Sequence, residues 1–174
     1  KNNVFIRCGI EIEDYKKVKH TFLPIYDKES EILILGSFPS VKSRENQFYY
    51  GHPQNRFWRV IATITDSNLP ITIEEKKRLL KENHIAIWDV IQSCSIIGSS
   101  DGSIRDVVVN DFSEILKIAN IKRIYANGGK AYELYQKYVF SQTEREIKKL
   151  PSTSPANAAY QIERLCQEWK RILE

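Results

Sequence analysis

Two short apolar runs, Ile32-Leu-Ile-Leu35 and Ile85-Ala-Ile-Trp88, stop abruptly at Gly36 and Asp89, and a third, Arg123-Ile-Tyr-Ala126, stops at Asn127. Runs of four with little polar alternation predict strands buried on both faces, as in a parallel sheet. Ile147 to Leu150 reads as a weaker fourth strand. The intervals carry helical spacing instead. Phe57, Val60, Ile61 and Ile64 line one face between Arg56 and Thr65. Thr72-Ile-Glu-Glu75 has the form of a capping box opening a charged helix to about Asn83. Further helices are predicted near Phe112 to Ala119 and from Ala131 to Phe140, the latter after the turn Asn127-Gly-Gly129. The last helix is expected to open with Ser154 as N-cap and Pro155 at its first position. It would run to Leu173 with Ile162, Leu165, Trp169 and Ile172 on one face. The stretches to Gln54 and from Ser93 to Asp106 read as polar loops. Alternating strands and helices of this length imply right-handed β-α-β units. The predicted fold class is α/β, a three-layer α/β/α sandwich with a short four-stranded parallel sheet.

At 174 residues, with 42% hydrophobic and 28% charged residues, the chain suits one globular domain with an ordinary core. No apolar run approaches the roughly 20 residues needed to cross a bilayer, so no membrane partner is expected. Cys8, Cys94 and Cys166 are odd in number and contain no close-spaced pair. A disulfide framework and a zinc site are therefore not expected, which favours a reducing, intracellular compartment, cytoplasmic and beside the nucleoid in a prokaryote. The sequence contains no methionine, so it is expected to lack its natural start. A formal charge of +4 is compatible with a polyanionic partner without requiring one.

Two polar blocks sit where predicted strands end. The first is Gly36-Ser-Phe-Pro-Ser40, continued by Tyr49-Tyr-Gly-His-Pro-Gln-Asn-Arg-Phe-Trp58; the second is Leu150-Pro-Ser-Thr-Ser-Pro-Ala-Asn157. In open α/β sheets, ligands are gripped at the carboxyl ends of the strands, so the blocks are read as two lips of one site. Together they resemble the uracil-DNA glycosylase superfamily, in particular its hypoxanthine (deoxyinosine) DNA glycosylase branch. The His-Pro-x-Asn-Arg-Phe-Trp stretch is also similar to the mismatch-specific uracil-DNA glycosylases. The resemblance runs from about His20 to the C-terminus, which divides the chain into an extension, residues 1–19, and a glycosylase domain, residues 20–174. The extension could be an added hairpin, an arm on a sheet edge or a linker.

The resemblance implies excision of a flipped-out base from DNA, with water delivered to the sugar C1′. The best-known branch places an aspartate after the first strand and a histidine at the head of the second motif. Here Ser37-Phe38 and Leu150 stand at those places, which argues against efficient uracil excision. The resemblance passes the water-positioning role to Asn55, whose amide can orient water but is not a base near neutral pH. Asparagine before a helix also serves as a cap, and Asn55 could do both. Asp89 stands where relatives hold the base edge; its carboxylate could accept from the N1–H of hypoxanthine, which adenine lacks. Ser37 borders the base, and Phe38 and Tyr49 are candidates to stack on it, or to pack in the core. Ser152, Thr153, Ser154 and Asn157 resemble the strand-gripping loop, with Ser40 and His52 as further DNA contacts. Asp101, Arg105 and Asp106 border the pocket or are simply solvated.

The reading is a monofunctional glycosylase removing deaminated bases, hypoxanthine first, from DNA. It is expected to act as a monomer, to leave an abasic site without cutting the strand, and to need no cofactor and no metal. The alternatives are another deaminated base, uracil in mismatches or xanthine, and a non-catalytic module that binds lesion DNA.

Overall fold

The computed structural model describes residues 14–174; any role of the preceding residues lies outside them. Its elements are β1 (Lys16–Lys19), β2 (Ile32–Gly36), α1 (Val41–Asn46), α2 (Phe57–Ile64), α3 (Ile73–Glu82), β3 (Ile85–Asp89), β4 (Ile91–Ile96) and β5 (Arg105–Val109). There follow α4 (Ser113–Ile118), β6 (Arg123–Asn127), α5 (Gly129–Tyr138), α6 (Phe140–Thr143), β7 (Lys148–Leu150) and α7 (Ile162–Trp169).

The four expected strands form one parallel sheet in the order β3-β2-β6-β7. Side chains alternate across it, and the cores divide accordingly. Ile32 and Ile34 of β2 join Val60, Ile61, Leu80, Leu165 and Trp169, from α2, α3 and α7, on one face. Leu33 and Leu35 join Ile115, Ala131, Leu134 and Tyr135, from α4 and α5, on the other. Register brings the strand ends level: Gly36 pairs with Asp89, and Asn127 with Leu150. The capping box holds, with Thr72 accepting from the Glu75 amide and the Glu75 carboxylate accepting from the Thr72 amide.

Three features depart from the sequence reading. The stretch read as a polar loop from Ser93 to Asp106 contributes to β4 and β5, which form a second, antiparallel sheet in the order β1-β4-β5. Register shifts between Ile91 and Ser93 and between Ser93 and Ser95 interrupt the pairing, and with it the two-residue alternation that would betray a strand. Residues 16–19, assigned to the extension, pair along the other edge of β4. The long first loop contains α1, whose polar sequence has no apolar stripe to reveal it; Ser40 caps it by accepting from the Ser43 amide.

The third correction concerns the last helix. It starts at Ile162, not after Ser154. The carbonyls of Ser154, Asn157 and Tyr160 all accept from the Arg56 guanidinium, so they are turned toward that side chain and not along a helix axis. A half-buried cation with several donors outcompetes the local capping signal here.

Trp169 joins this helix to the sheet. It is fully buried, and its indole N–H donates to the Pro151 carbonyl at 3.0 Å. Trp169→Phe is expected to cost about 1–3 kcal/mol, from lost core volume and an unmet carbonyl, read as a lower urea midpoint at unchanged slope.

Candidate active site

The ends of β2, β3 and β6 open onto a cavity of about 340 Å³. Gly36, Asp89 and Asn127 meet at it, together with Ser37 and Phe38 from the first motif, Tyr50 from its continuation and Ser152 and Ser154 from the second. The connections from β2 go to β3 on one side and eventually to β6 on the other, so the cavity lies where an open sheet naturally leaves a crevice.

The two motif loops are fastened together by a chain of hydrogen bonds. The Thr153 amide donates to Asn127 Oδ1, and the Asn127 amide donates back to the Thr153 hydroxyl, both at 3.0 Å. That hydroxyl donates to Asn55 Oδ1 at 2.9 Å. Asn55 Oδ1 also accepts from the Phe57 amide at 2.9 Å, which caps α2. Beside this relay, Arg56 grips the second loop. Its guanidinium donates to the Ser154 carbonyl at 2.8 Å, the Asn157 carbonyl at 3.1 Å and the Tyr160 carbonyl, while its backbone amide donates to the Thr153 carbonyl at 3.1 Å. Gly128 allows the close approach: its φ of 97° excludes other residues, and an added Cβ would stand 3.0 Å from the Ser152 Cβ.

Most of the expected site residues gather here in distinct settings. Asp89 is buried, with Oδ2 accepting from His20 Nε2 at 2.8 Å. Phe38 lines the cavity with the Arg44 guanidinium 5.6 Å from its ring centre. The Ser37 hydroxyl donates to Asp101 Oδ1 at 2.9 Å. Ser40 and His52 line the mouth, where Ser40 caps α1 and the His52 ring accepts from the Gln54 amide. Ser152 and Ser154 line it too, each hydroxyl accepting from an amide two residues on. Thr153, expected at the DNA surface, is wholly buried in the relay. Asn157 points its amide at the Ser152 carbonyl, inside its own loop. Tyr49 borders the cavity but is 2% exposed, and its hydroxyl donates to the Leu23 carbonyl at 2.8 Å. Asn55 itself lies behind the lining, with both lone pairs of its carbonyl oxygen taken.

One participant, His20, carries no signal that a sequence pattern could supply. His20 stands 69 residues before its partner Asp89 and is delivered by β1. Asp101, read from the sequence as either bordering the pocket or solvated, lies on an exposed turn with its carboxyl facing the cavity; the loss of solvent there raises its pKa, partly offset by the Ser37 hydroxyl and Lys130. Asn127 could have been flagged, since it ends a buried strand just as Asp89 does. Among the described residues, no group of histidines, cysteines and carboxylates is placed to hold a metal ion.

A parallel sheet with paired polar loops at its carboxyl edge, fastened through asparagine and arginine, defines an α/β protein with a polar crevice at the strand ends. The chain belongs to the uracil DNA glycosylase superfamily, whose family model matches residues 23–174. It is 39% identical over 157 residues to the hypoxanthine DNA glycosylase of Methanosarcina acetivorans, covering 89% of this chain and 98% of the relative. It is 38% identical over 141 residues to the hypoxanthine DNA glycosylase of Methanosarcina barkeri, covering 80% and 88%. A solution structure from Methanosarcina acetivorans, described as a candidate uracil DNA glycosylase, superposes with a TM-score of 0.75 at 38% identity, over 87% of this chain and 94% of that one.

Two outcomes follow from the site geometry. Arg56→Lys keeps the charge but replaces a rigid planar fork with three donors on one atom, and should cost about 2–3 kcal/mol, with faster proteolysis of the 153–160 loop. At Gly36 a Cβ would fall 2.3 Å from Asp89 Oδ1. Gly36→Ala should therefore lower the urea-derived stability by about 1–3 kcal/mol by displacing the carboxylate from His20.

Proposed function

We propose that this chain hydrolyses the N-glycosidic bond of deaminated bases in DNA, hypoxanthine first, and leaves an abasic site. The observation that carries the reading is the cavity itself: a carboxylate held at its floor and two interlocked motif loops at its rim, in a chain aligned almost end to end with enzymes named for that reaction.

The nucleotide must leave the stack to reach this cavity, and the cost is smallest where the base is already mispaired. Phe38 offers a ring for stacking, and Asp89 Oδ1, the oxygen not taken by His20, offers an acceptor for the purine N1–H. As the bond from C1′ to the base nitrogen breaks, the electron pair leaves with the base and positive charge builds on the sugar. The oxygen of a water molecule then bonds to C1′ and loses a proton to solvent, while the departing base gains one. Asn55, set just behind the lining, has its carbonyl oxygen already satisfied, so its part in holding this water falls to its amide hydrogens and to the Thr153–Asn127 relay that it anchors at the cavity wall. Asn127, whose Oδ1 has accepted only the Thr153 amide and keeps a lone pair, completes the cradle. Asp101 adds a carboxylate beside Ser37, where the first motif itself has none. Catalysis of this kind rests on positioning more than on proton abstraction.

The strand is held by hydroxyls and amides of the 152–157 loop and by the mouth residues Ser40 and His52, groups suited to phosphate oxygens. Lys42 and Lys149 are exposed nearby in sequence, and the net positive charge assists approach to DNA. Among the described residues, no helix is long and apolar enough to cross a membrane.

The test is base release from a duplex bearing one deoxyinosine, scored as alkali-sensitive cleavage, with uracil and xanthine duplexes alongside. Release from deoxyinosine should exceed the others and fall about 100-fold or more in Asn55→Ala, the scale of a misplaced reacting group. Tight binding of the lesion duplex without release of any base would instead make the chain a binding module.

A further inference from the structure

Tyr50 is built differently from its neighbours. Its backbone is left-handed, with a φ of 52°, a conformation that bulky residues adopt only when the surroundings enforce it. This twist lays its ring against Phe57, with centres 4.0 Å apart and planes 22° from parallel. It also carries the hydroxyl to the cavity floor, where the Tyr50 oxygen and Asp89 Oδ1 both crowd over Gly36, at 3.3 and 2.3 Å from where a Cβ would stand. The hydroxyl is buried and has no hydrogen-bond partner among the described residues. An unmet buried hydroxyl costs stability, and strain at the same residue costs more. Stacking on Phe57 and an edge contact with Trp58 offset part of this for the ring, and the Asn127 side chain lies near the hydroxyl, but neither takes the hydroxyl's proton. Tyr49, one position earlier, shows the contrast: its hydroxyl is satisfied by the Leu23 carbonyl.

An empty donor beside a fixed acceptor has a definite complement. Deamination of adenine exchanges the pattern on the Watson–Crick edge: the amine donor at C6 becomes a carbonyl acceptor, and the ring nitrogen acceptor N1 becomes an N–H donor. Conversion of cytosine to uracil makes the same exchange at C4 and N3. We propose that the Tyr50 hydroxyl donates to the exocyclic carbonyl of the flipped base while Asp89 Oδ1 accepts from the adjacent ring N–H, so that the pair reads the lactam edge that deamination creates. This rests on the glycosylase reading above and adds the donor half of its base recognition. His20 sets the acceptor half, because an ionised carboxylate can only accept, so Nε2–H fixes Oδ2 and leaves Oδ1 to the base. Burial and the nearby Asp89 push the Tyr50 pKa far upward, against a smaller opposing pull from the Asn127 side chain, so the hydroxyl keeps its proton and remains a donor. Adenine would meet donor with donor and acceptor with acceptor.

The test compares Tyr50→Phe with the unaltered protein in single-turnover base release, on duplexes carrying deoxyinosine or its 6-thio analogue, whose sulfur accepts hydrogen bonds poorly. Tyr50→Phe keeps the ring on Phe57 and deletes only the hydroxyl. Release of hypoxanthine is expected to fall about 10- to 100-fold, the scale of one buried hydrogen bond, and release of the thio base to change by less than about 3-fold. The variant should melt no lower than the unaltered protein, since the deleted group had no partner. Equal losses on both substrates, no loss on deoxyinosine, or a clear drop in melting temperature would each overturn this recognition scheme while leaving the glycosylase reading intact. Inactivity of the unaltered protein on every substrate would overturn both.

Discussion

The geometry of the site depends on one joint, the contact of Asn55 and Arg56 with the loop after β7. These neighbouring residues divide the work. Asn55 ties the start of α2 to the buried Thr153 hydroxyl, and Arg56 gathers three carbonyls of the second loop, two of which also accept a backbone amide within the loop. Irregular backbone near a cavity is stable only when its polar groups find partners. A helix would supply them internally but would carry the loop away from the cavity. The guanidinium satisfies them while leaving the loop bent over the strand ends. The fork shape matters, because three separated carbonyls must be reached from one side chain.

The same joint explains why the site is preorganised without a catalytic base in its first motif. Asn127, Thr153 and Asn55 form a directional relay in which each donor has a fixed acceptor, so the amide orientations are set before substrate arrives. Positioning of this kind avoids reorganisation during reaction, which is where polar sites gain most over water. It also explains why Thr153 is inside while the hydroxyls of Ser152 and Ser154 border the cavity.

Much of the frame was legible in the chain. Three of the four parallel strands announce themselves because their apolar centres are buried on both faces, whereas β7, with two exposed lysines, gives only a weak signal. The antiparallel sheet was not legible, because bulges in β4 disturb alternation and β1 is four mostly exposed residues. Ser154-Pro155 gave a sound local signal for a helix start that a residue 98 positions away in sequence overrides, which no window along the chain can contain. At the site, the proline- and asparagine-rich motifs marked the lips. The floor was harder: the difference between Tyr49 and Tyr50 lies in a single left-handed residue, and side-chain type alone does not record it.

The buried pair of His20 and Asp89 bears most directly on what the fold is for. Their side chains are 2% and 5% exposed, so both polar groups lose hydration on folding. A well-packed apolar pair of similar volume is often as stable or more so, which makes such a pair weak evidence for stability. Its position is then the informative fact. It stands at the end of β3, with one oxygen held and the other over Gly36, whose missing side chain leaves the room. A strand from outside the parallel sheet is recruited to deliver the histidine. That expense of structure on the orientation of one carboxylate is explicable if its free oxygen has to be in place for a ligand, and is hard to account for by packing alone.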